Sequence, residues 1–127
     1  MRKDGYMFRV IIAGSRNFND YYMLRDYVDY CLSRKVAEGE EIVILSGHCR
    51  GADLLGEKYA AERRHSLRIY QAEWSRYGQA AGIRRNKQMV DEADAAILFW
   101  DGSSRGTLST INFAREKGIP VRIKQYK

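Results

Sequence analysis

The chain has 127 residues, of which 45% are hydrophobic and 30% charged, and this predicts one folded domain over residues 1–127 rather than a disordered chain. No apolar stretch approaches the ~20 residues of a membrane span, and residues 1–7 form a short polar tail, so we expect a cytoplasmic protein with no membrane partner. The net charge of +6 permits a nucleic-acid partner, although the basic residues are spread without a lysine-rich run.

Strands and helices are predicted to alternate along the whole chain. In chain order, the predicted elements are a strand at 8–13, a helix at 20–37, a strand at 41–45, a helix at 51–64, a strand at 67–72, a helix at 82–93, a strand at 95–100, a helix at 106–117 and a strand at 121–125. Apolar runs such as 10–13 suit strands that are buried on both faces of a parallel sheet. We therefore predict an α/β fold, a Rossmann-like, doubly wound three-layer sandwich with a mainly parallel five-stranded sheet.

Local signals mark where several of these elements begin and end. Asp20 is the expected N-cap of the first helix. Gly118 stands where the last helix needs a C-cap, and Pro120 follows as a stop signal. Because Arg68 and Gln71 interrupt the third strand, we expect that strand at an edge of the sheet.

Three short polar loops, at 14–18, 46–51 and 101–107, each follow an apolar strand and open a helix. Small residues there let backbone N–H groups approach a ligand, and helix N-termini favour anions. Loops that follow parallel strands emerge at the same edge of the sheet, so we predict one crevice for a phosphate-bearing ligand. Arg16 and Arg50 would supply positive charge. A solvated basic rim is the alternative interpretation.

The predicted ligand-binding residues are Gly14, Ser15, Arg16, Asn17, Phe18, Ser46, Gly47, Arg50, Gly51, Asp53, Trp74, Tyr77, Arg85, Asn86, Asp101, Gly102, Ser104, Gly106 and Thr107. Asp53 would orient a ribose hydroxyl, or it is simply a first-turn acid favoured by the helix dipole. Trp74 and Tyr77 would stack on a base, or they pack over the sheet edge. Asn86, on an otherwise apolar helix face, predicts a buried amide that braces a loop or contacts the ligand.

Several kinds of chemistry find little support in the sequence. The loops lack both the G-x-G-x-x-G fingerprint and the Walker lysine, which argues against ordinary NAD and P-loop sites. No His/Cys spacing resembles a metal site, so no metal is expected. Cys31 and Cys49 are expected to be unpaired thiols. His48 beside Cys49 suggests a nucleophile and its base, but adjacent side chains rarely face each other productively.

Five motifs occur together in a fixed order. They are Gly14-Ser15-Arg16-Asn17-Phe18-Asn19-Asp20, Ser46-Gly47-x-x-Arg50-Gly51-Ala52-Asp53, Glu73-Trp74-x-x-Tyr77-Gly78, Ala81-Gly82-x-x-Arg85-Asn86-x-x-Met89 and Trp100-Asp101-Gly102-x-Ser104-x-Gly106-Thr107. As a set they closely resemble the YspA-like branch of the SLOG superfamily, which is related to the lysine-decarboxylase-like LOG proteins and to the Rossmann core of DprA. The resemblance covers about residues 8–123. It implies a Rossmann-like fold and a role in binding nucleotides or NAD- and ADP-ribose-derived ligands.

The sequence departs from these relatives at informative positions. LOG phosphoribohydrolases carry a catalytic Glu three residues after the Thr of their glycine-rich loop, where this chain has Thr110. The His48–Cys49 pair stands where small residues, often Gly-Ala, are usual in this branch. Glu73 replaces a commoner Asp, and Ile83 replaces a frequent Pro. The first departure argues against a hydrolase that works as the LOG enzymes do.

Three functions remain open from the sequence. The leading hypothesis is a sensor or sequestering protein that binds a nucleotide-derived small molecule of nucleotide, NAD or ADP-ribose type. The second is a hydrolase that cleaves an N-glycosidic or phosphoester bond of such a ligand, with Asp53, Glu73 and Asp101 as candidate catalytic carboxylates. The third is DprA-like binding of single-stranded nucleic acid. A homo-oligomer is expected, because small Rossmann-like modules often pair through helices.

Overall fold

The computed structural model describes residues 7–127, so residues 1–6 of the predicted polar tail lie outside the described residues. The strands are β1 (Phe8–Gly14), β2 (Ile42–Ser46), β3 (Ser66–Ile69), β4 (Ala95–Trp100) and β5 (Val121–Gln125). The helices are α1 (Tyr21–Ala37), α2 (Ala52–Arg63), α3 (Trp74–Tyr77), α4 (Ala81–Glu92) and α5 (Arg105–Lys117), with a 3₁₀ turn at Gly78–Ala80 between α3 and α4. None of the helices in the described range is long and apolar enough to cross a membrane.

The five strands form one sheet in the order β3-β2-β1-β4-β5, and every neighbouring pair is parallel. The chain builds outward from β1 to β3 on one side and then from β4 to β5 on the other. This reversal between β1 and β4 is the arrangement of a doubly wound Rossmann-like fold. The predicted fold class is confirmed, with a sheet that is parallel throughout.

Helices cover both faces of the sheet. On one face, Val10 and Ile12 of β1 pack with buried residues of α1 and α2 such as Leu24 and Tyr59. On the other face, the alternate β1 residues Ile11 and Ala13 pack with buried residues of α4 and α5. Successive side chains of a strand point to opposite faces, so a central strand between two helical layers must be apolar throughout. This explains the continuous apolar run at the centre of the sheet.

Most of the predicted end signals are found in the structure. The Asp20 carboxylate accepts a hydrogen bond of 3.1 Å from the Met23 N–H and caps α1. Gly118 ends α5 in the left-handed conformation, with φ of 83°. β3 is an edge strand, as predicted, but it ends at Ile69 rather than at residue 72.

The segment between β3 and α4, where no helix or strand was predicted from the sequence, is partly helical. Its residues form α3 and the 3₁₀ turn, because the N–H groups of Arg76 and Tyr77 both donate to the Glu73 carbonyl at 3.0 Å. So short a helix is hard to predict from a sequence, since four residues cannot display a helical period. The consequence is that Trp74 and Tyr77 are held on a fixed turn next to the first residues of α4.

Candidate functional site

The loops at the carboxyl ends of β1, β2 and β4, together with α4, enclose a cavity of about 370 Å³. It lies at the point where the strand order reverses, the usual ligand position in open α/β sheets. Its volume is within the roughly 300–1,000 Å³ of small-molecule sites. The cavity wall includes these predicted ligand-binding residues: Gly14, Arg16, Asn17, Arg50, Asp53, Arg85, Asn86, Asp101, Ser104, Gly106 and Thr107.

Other predicted ligand-binding residues lie outside this wall, namely Ser15, Phe18, Ser46, Gly47, Gly51, Trp74, Tyr77 and Gly102. Phe18 is buried in the core, where its ring stacks on Phe99 with centroids 4.9 Å apart. Ser15 is also buried, and its hydroxyl accepts a hydrogen bond of 3.1 Å from the Asp101 N–H. The side chains of these two residues shape the loops from behind the cavity wall.

The loops after β1 and β2 touch each other through their backbones at Gly51. This glycine has φ of 88°, and a Cβ built on it would lie 2.4 Å from the Ser15 carbonyl oxygen and 2.7 Å from the Arg16 Cα. The Ala52 N–H also donates to the Ser15 carbonyl at 3.4 Å. Only glycine combines this backbone conformation with so close an approach. Gly51 therefore sets the spacing of two walls of the cavity.

Asp53, in the first turn of α2, is the buried acid of the cavity wall. Its side chain accepts hydrogen bonds from the Gly14 N–H at 3.3 Å and the Cys49 N–H at 3.4 Å, so it ties together the loops after β1 and β2. Burial raises the pKa of Asp53 to about 6, although the two amides and the nearby Arg85 charge act to lower it. Asp53 therefore changes its charge near neutral pH.

The raised pKa of Asp53 has a consequence for stability. Between about pH 4 and 6 the folded protein retains a proton on Asp53 that the unfolded chain has lost, so the free energy of unfolding falls as the pH rises through this range. Because the pKa of Asp53 is raised by about two units, its titration changes the free energy of unfolding by at most about 3 kcal/mol. We expect the stability advantage of the wild type over Asp53→Asn, measured by urea unfolding, to shrink between pH 4 and pH 7.

Asp101 provides a control of opposite sign. The amides of Ser103 and Ser104 hold the pKa of Asp101 below its usual value, so its contribution is present at neutral pH and is lost as the pH falls. The advantage of the wild type over Asp101→Asn should therefore grow with pH. A wild-type advantage over Asp53→Asn that is constant or grows with pH would contradict the buried, partly protonated acid.

Arg85 and Asn86, near the start of α4, brace the loops rather than pointing freely into the cavity. The Arg85 guanidinium donates to the Gly47 carbonyl at 2.6 Å and to the Asn86 side-chain oxygen at 2.8 Å. The Asn86 amide donates to the Ser109 hydroxyl at 3.0 Å and the Gly106 carbonyl at 3.3 Å. The predicted buried amide is thus a brace between α4 and α5, and it also lines the cavity.

The N-terminus of α5 opens onto the cavity through Ser104, Gly106 and Thr107. Asp101 shapes the preceding loop, because its carboxylate accepts hydrogen bonds from the Ser103 N–H at 2.9 Å and the Ser104 N–H at 2.8 Å. In the described chain the N-cap Ser104 makes no side-chain cap bond. The first turn of α5 therefore lacks a capping side chain from Ser104, and the positive dipole end of this helix lies at the cavity wall.

His48 and Cys49 point to different surroundings. The His48 Nδ1 lies 2.8 Å from the Glu57 carboxylate, which also accepts a 2.7 Å hydrogen bond from the Ser46 hydroxyl. Cys49 lines the cavity instead, with its Sγ 3.7 Å from an Arg85 nitrogen. The structure gives no hydrogen bond between the His48 ring and the Cys49 thiol among residues 7–127. The His48 ring is instead paired with Glu57, so His48 and Cys49 do not act together as a base and its nucleophile.

A second cavity, of about 440 Å³, lies along α4 and includes Glu73, Tyr77 and Arg85 in its wall. Arg85 is shared with the first cavity. The Tyr77 ring lies under the Arg84 guanidinium, 3.9 Å from the ring centroid. Glu73 is thus separated from Asp53 and Asp101, and the three candidate carboxylates do not line one cavity. Among residues 7–127, no cluster of three or more histidine, cysteine or acidic side chains could hold a metal ion.

Comparison with known proteins shows the family to which the chain belongs. The family model of the YspA, cpYpsA-related SLOG family matches residues 8–77, which is more than half of the chain. The chain belongs to this family. It is also 33% identical over 121 residues to the Gene 61 protein of Mycobacterium phage D29, an alignment that covers 91% of this chain and 94% of the phage protein.

Two solved structures share the fold at low sequence identity. The protein TM1055 aligns over 91% of this chain and 72% of its own, with a TM-score of 0.63 and 20% identity. DNA processing protein A (DprA) from Streptococcus pneumoniae aligns over 96% of this chain with a TM-score of 0.71 and 17% identity. This chain spans about half of the DprA chain, 51%. At these identities the likeness shows the fold, and no partner of DprA follows for this chain.

The cavity wall also includes Ala13, Cys49, Met89 and Thr110, which are not among the ligand-binding residues predicted from the sequence. For two of these residues, the helical spacing in the sequence could have predicted a place in the cavity wall. Met89 follows Arg85 and Asn86 at helical spacing, and Thr110 follows Gly106 by one turn of α5. Thr110, at the position where the resemblance to LOG proteins implies a catalytic Glu, lines the cavity, and its hydroxyl donates to the Gly106 carbonyl at 3.4 Å.

Proposed function

We propose that this protein binds a nucleotide-derived small molecule, with a phosphate group in the cavity at the carboxyl edge of the sheet, and acts as a sensor or sequestering protein. The observation that carries the proposal is the convergence, on one cavity, of Arg16, Arg50 and the N-terminus of α5. Arginine is suited to bidentate phosphate contacts, and first-turn amides are suited to an anion's oxygens.

Gly106 supports the same interpretation. A Cβ on this helical glycine would meet nothing within 4 Å, so the protein's own packing does not require glycine there. Glycine within a helix costs roughly 0.5–1 kcal/mol relative to alanine. Because Gly106 lines the cavity, we infer that the space in front of it serves the close approach of a ligand to the α5 backbone.

Thiol labelling tests the location of the ligand. Cys49 lines the cavity, whereas Cys31 lies on α1 beside a different cavity. Burial raises the pKa of Cys31, so its thiol should react slowly in any case. We expect saturating AMP, ADP-ribose or NAD to slow iodoacetamide alkylation of Cys49 at least tenfold and to leave Cys31 unchanged, as measured by peptide mass spectrometry.

Cys31 serves as the internal control, because a general stabilisation of the fold would slow both reactions. If a ligand that binds by calorimetry leaves the alkylation rate of Cys49 unchanged, the ligand occupies another place. Equal slowing of both cysteines would likewise count against the cavity.

A second candidate function, hydrolysis of an N-glycosidic or phosphoester bond, is favoured by one observation. Asp53 lines the cavity with a pKa raised to about 6 by burial, a value suited to a general acid or base near neutral pH. Its two amide partners favour a bracing role instead. Chromatography of nucleotides after long incubation separates the two functions, since a hydrolase releases free base, sugar phosphate or orthophosphate and a binding protein releases none.

A further inference from the structure

Trp74 lies outside the wall of the first cavity but close to Arg85, which is part of that wall. It is 52% exposed, on α3. Within residues 7–127 its indole makes no hydrogen bond, aromatic contact or cation contact. About half of the Trp74 surface is therefore open to contact with another molecule.

Gly82 of α4 connects this ring to the cavity. A Cβ built on Gly82 would lie 3.4 Å from the Trp74 Cη2 and 4.0 Å from an Arg85 side-chain nitrogen. The indole and the Arg85 guanidinium therefore stand beside the same residue. Arg85 in turn lines the cavity, so the indole lies next to the rim of the cavity that Arg85 forms.

Tyr77 is not available in the same way. The Arg84 guanidinium lies 3.9 Å and the Arg76 guanidinium 5.0 Å from the centroid of its ring. These cation contacts occupy the Tyr77 ring within the protein. Of the two aromatic residues of this turn, Trp74 is the one with a ring free to stack.

We propose that Trp74 is a stacking platform for the nucleobase of the ligand, and that the ligand is a nucleotide rather than a sugar phosphate or an inorganic anion. This inference rests on the proposed function, because the phosphate in the cavity is what brings the base to the rim. Stacking of a nucleobase on an aromatic ring adds affinity that depends little on which base it is, since every base has a π-face. Trp74 therefore adds affinity for nucleotides as a class.

AMP and ribose 5-phosphate form a matched pair of probes, because they share the phosphate and the sugar and differ in the base. The affinities of both are measured by calorimetry for the wild type, Trp74→Ala and Trp74→Phe. Tyr30→Ala is the matched control, because Tyr30 is an exposed aromatic residue on α1, 68% exposed. The wild type should bind AMP roughly 5- to 150-fold more tightly than ribose 5-phosphate, the range expected for one stacked base.

We expect Trp74→Ala to remove this preference for AMP while the dissociation constant of ribose 5-phosphate stays within about twofold. Trp74→Phe should retain most of the preference, and Tyr30→Ala all of it. If Trp74→Ala weakens both probes equally, or neither, the stacking platform is refuted while the phosphate site stands. If neither probe binds the wild type at millimolar concentration, this inference fails, whereas the proposed function fails only if ADP-ribose, NAD and cyclic nucleotides also show no saturable binding.

Discussion

Replacing Gly106 with valine is expected to weaken ligand binding at least 100-fold without destabilising the protein. A Cβ at this position meets nothing within 4 Å, so the larger side chain fits the fold. Its methyl groups would then occupy the cavity in front of the α5 N-terminus, where the phosphate is proposed to lie. The free energy of unfolding should be unchanged or slightly higher, because glycine is the poorer helix former.

Calorimetry with AMP, ADP-ribose or NAD and a urea unfolding curve measure the two effects. Gly106→Ala is the graded control, because it adds the Cβ alone and should weaken binding less than valine does. Wild-type affinity in Gly106→Val would contradict the proposed site. A loss of stability comparable to the loss of binding energy would mean that the glycine serves the fold instead.

Replacing Gly51 with alanine is expected to cost about 2–5 kcal/mol in the free energy of unfolding. Two effects add at this position. A non-glycine residue at φ of 88° is strained by about 1–2 kcal/mol, and its Cβ would lie 2.4 Å from the Ser15 carbonyl oxygen. Relieving that overlap means moving backbone against backbone, at a further cost of roughly 1–3 kcal/mol.

Gly39→Ala is a matched control for Gly51→Ala. Gly39 has φ of 76°, yet a Cβ there would meet nothing within 4 Å. It should therefore show the conformational cost alone, about 1–2 kcal/mol. The difference between the two variants in urea unfolding measures the contact between the loops after β1 and β2. Equal losses in both variants would show that these loops do not approach each other this closely.

The architecture could be predicted from the sequence because the central strands are apolar along most of their length. Runs such as 10–13 are typical of a strand covered on both faces, and their alternation with helices leaves few topologies. The edge strand was less predictable in length. β3 is exposed along Ser66–Ile69, so neither burial nor a clear period marks its end.

The loops of the candidate site were predictable for a related reason. In a parallel sheet the loops after neighbouring strands share one edge, and this rule alone predicts that Arg16, Arg50 and Gly106 lie together, as they do in the cavity wall. Which side chains face the cavity could not be predicted in the same way. Phe18 turns into the core and Cys49 turns toward the cavity because of local packing and hydrogen bonds that a loop sequence does not display.

The roles of the polar residues were the least predictable. From the sequence, Asp53 could orient a ribose hydroxyl or be a first-turn acid favoured by the helix dipole. These interpretations differ in what the carboxylate contacts, and sequence spacing does not reveal its contacts. The structure supplies two amide partners from loops far apart in the chain. Asn86 and Arg85 likewise depend on contacts with Gly47 and Ser109, across elements whose distance follows only from the assembled fold.

The central claim, that the cavity binds a phosphate-bearing nucleotide derivative, is tested most directly by calorimetric titration of the purified wild-type protein. The panel is AMP, ADP-ribose, NAD and cyclic nucleotides, with adenosine as the ligand that lacks phosphate. We predict saturable binding of at least one phosphate-bearing member, and binding of adenosine at least tenfold weaker than that of AMP. Absence of saturable binding across the panel, or adenosine binding as tightly as AMP, would contradict the claim.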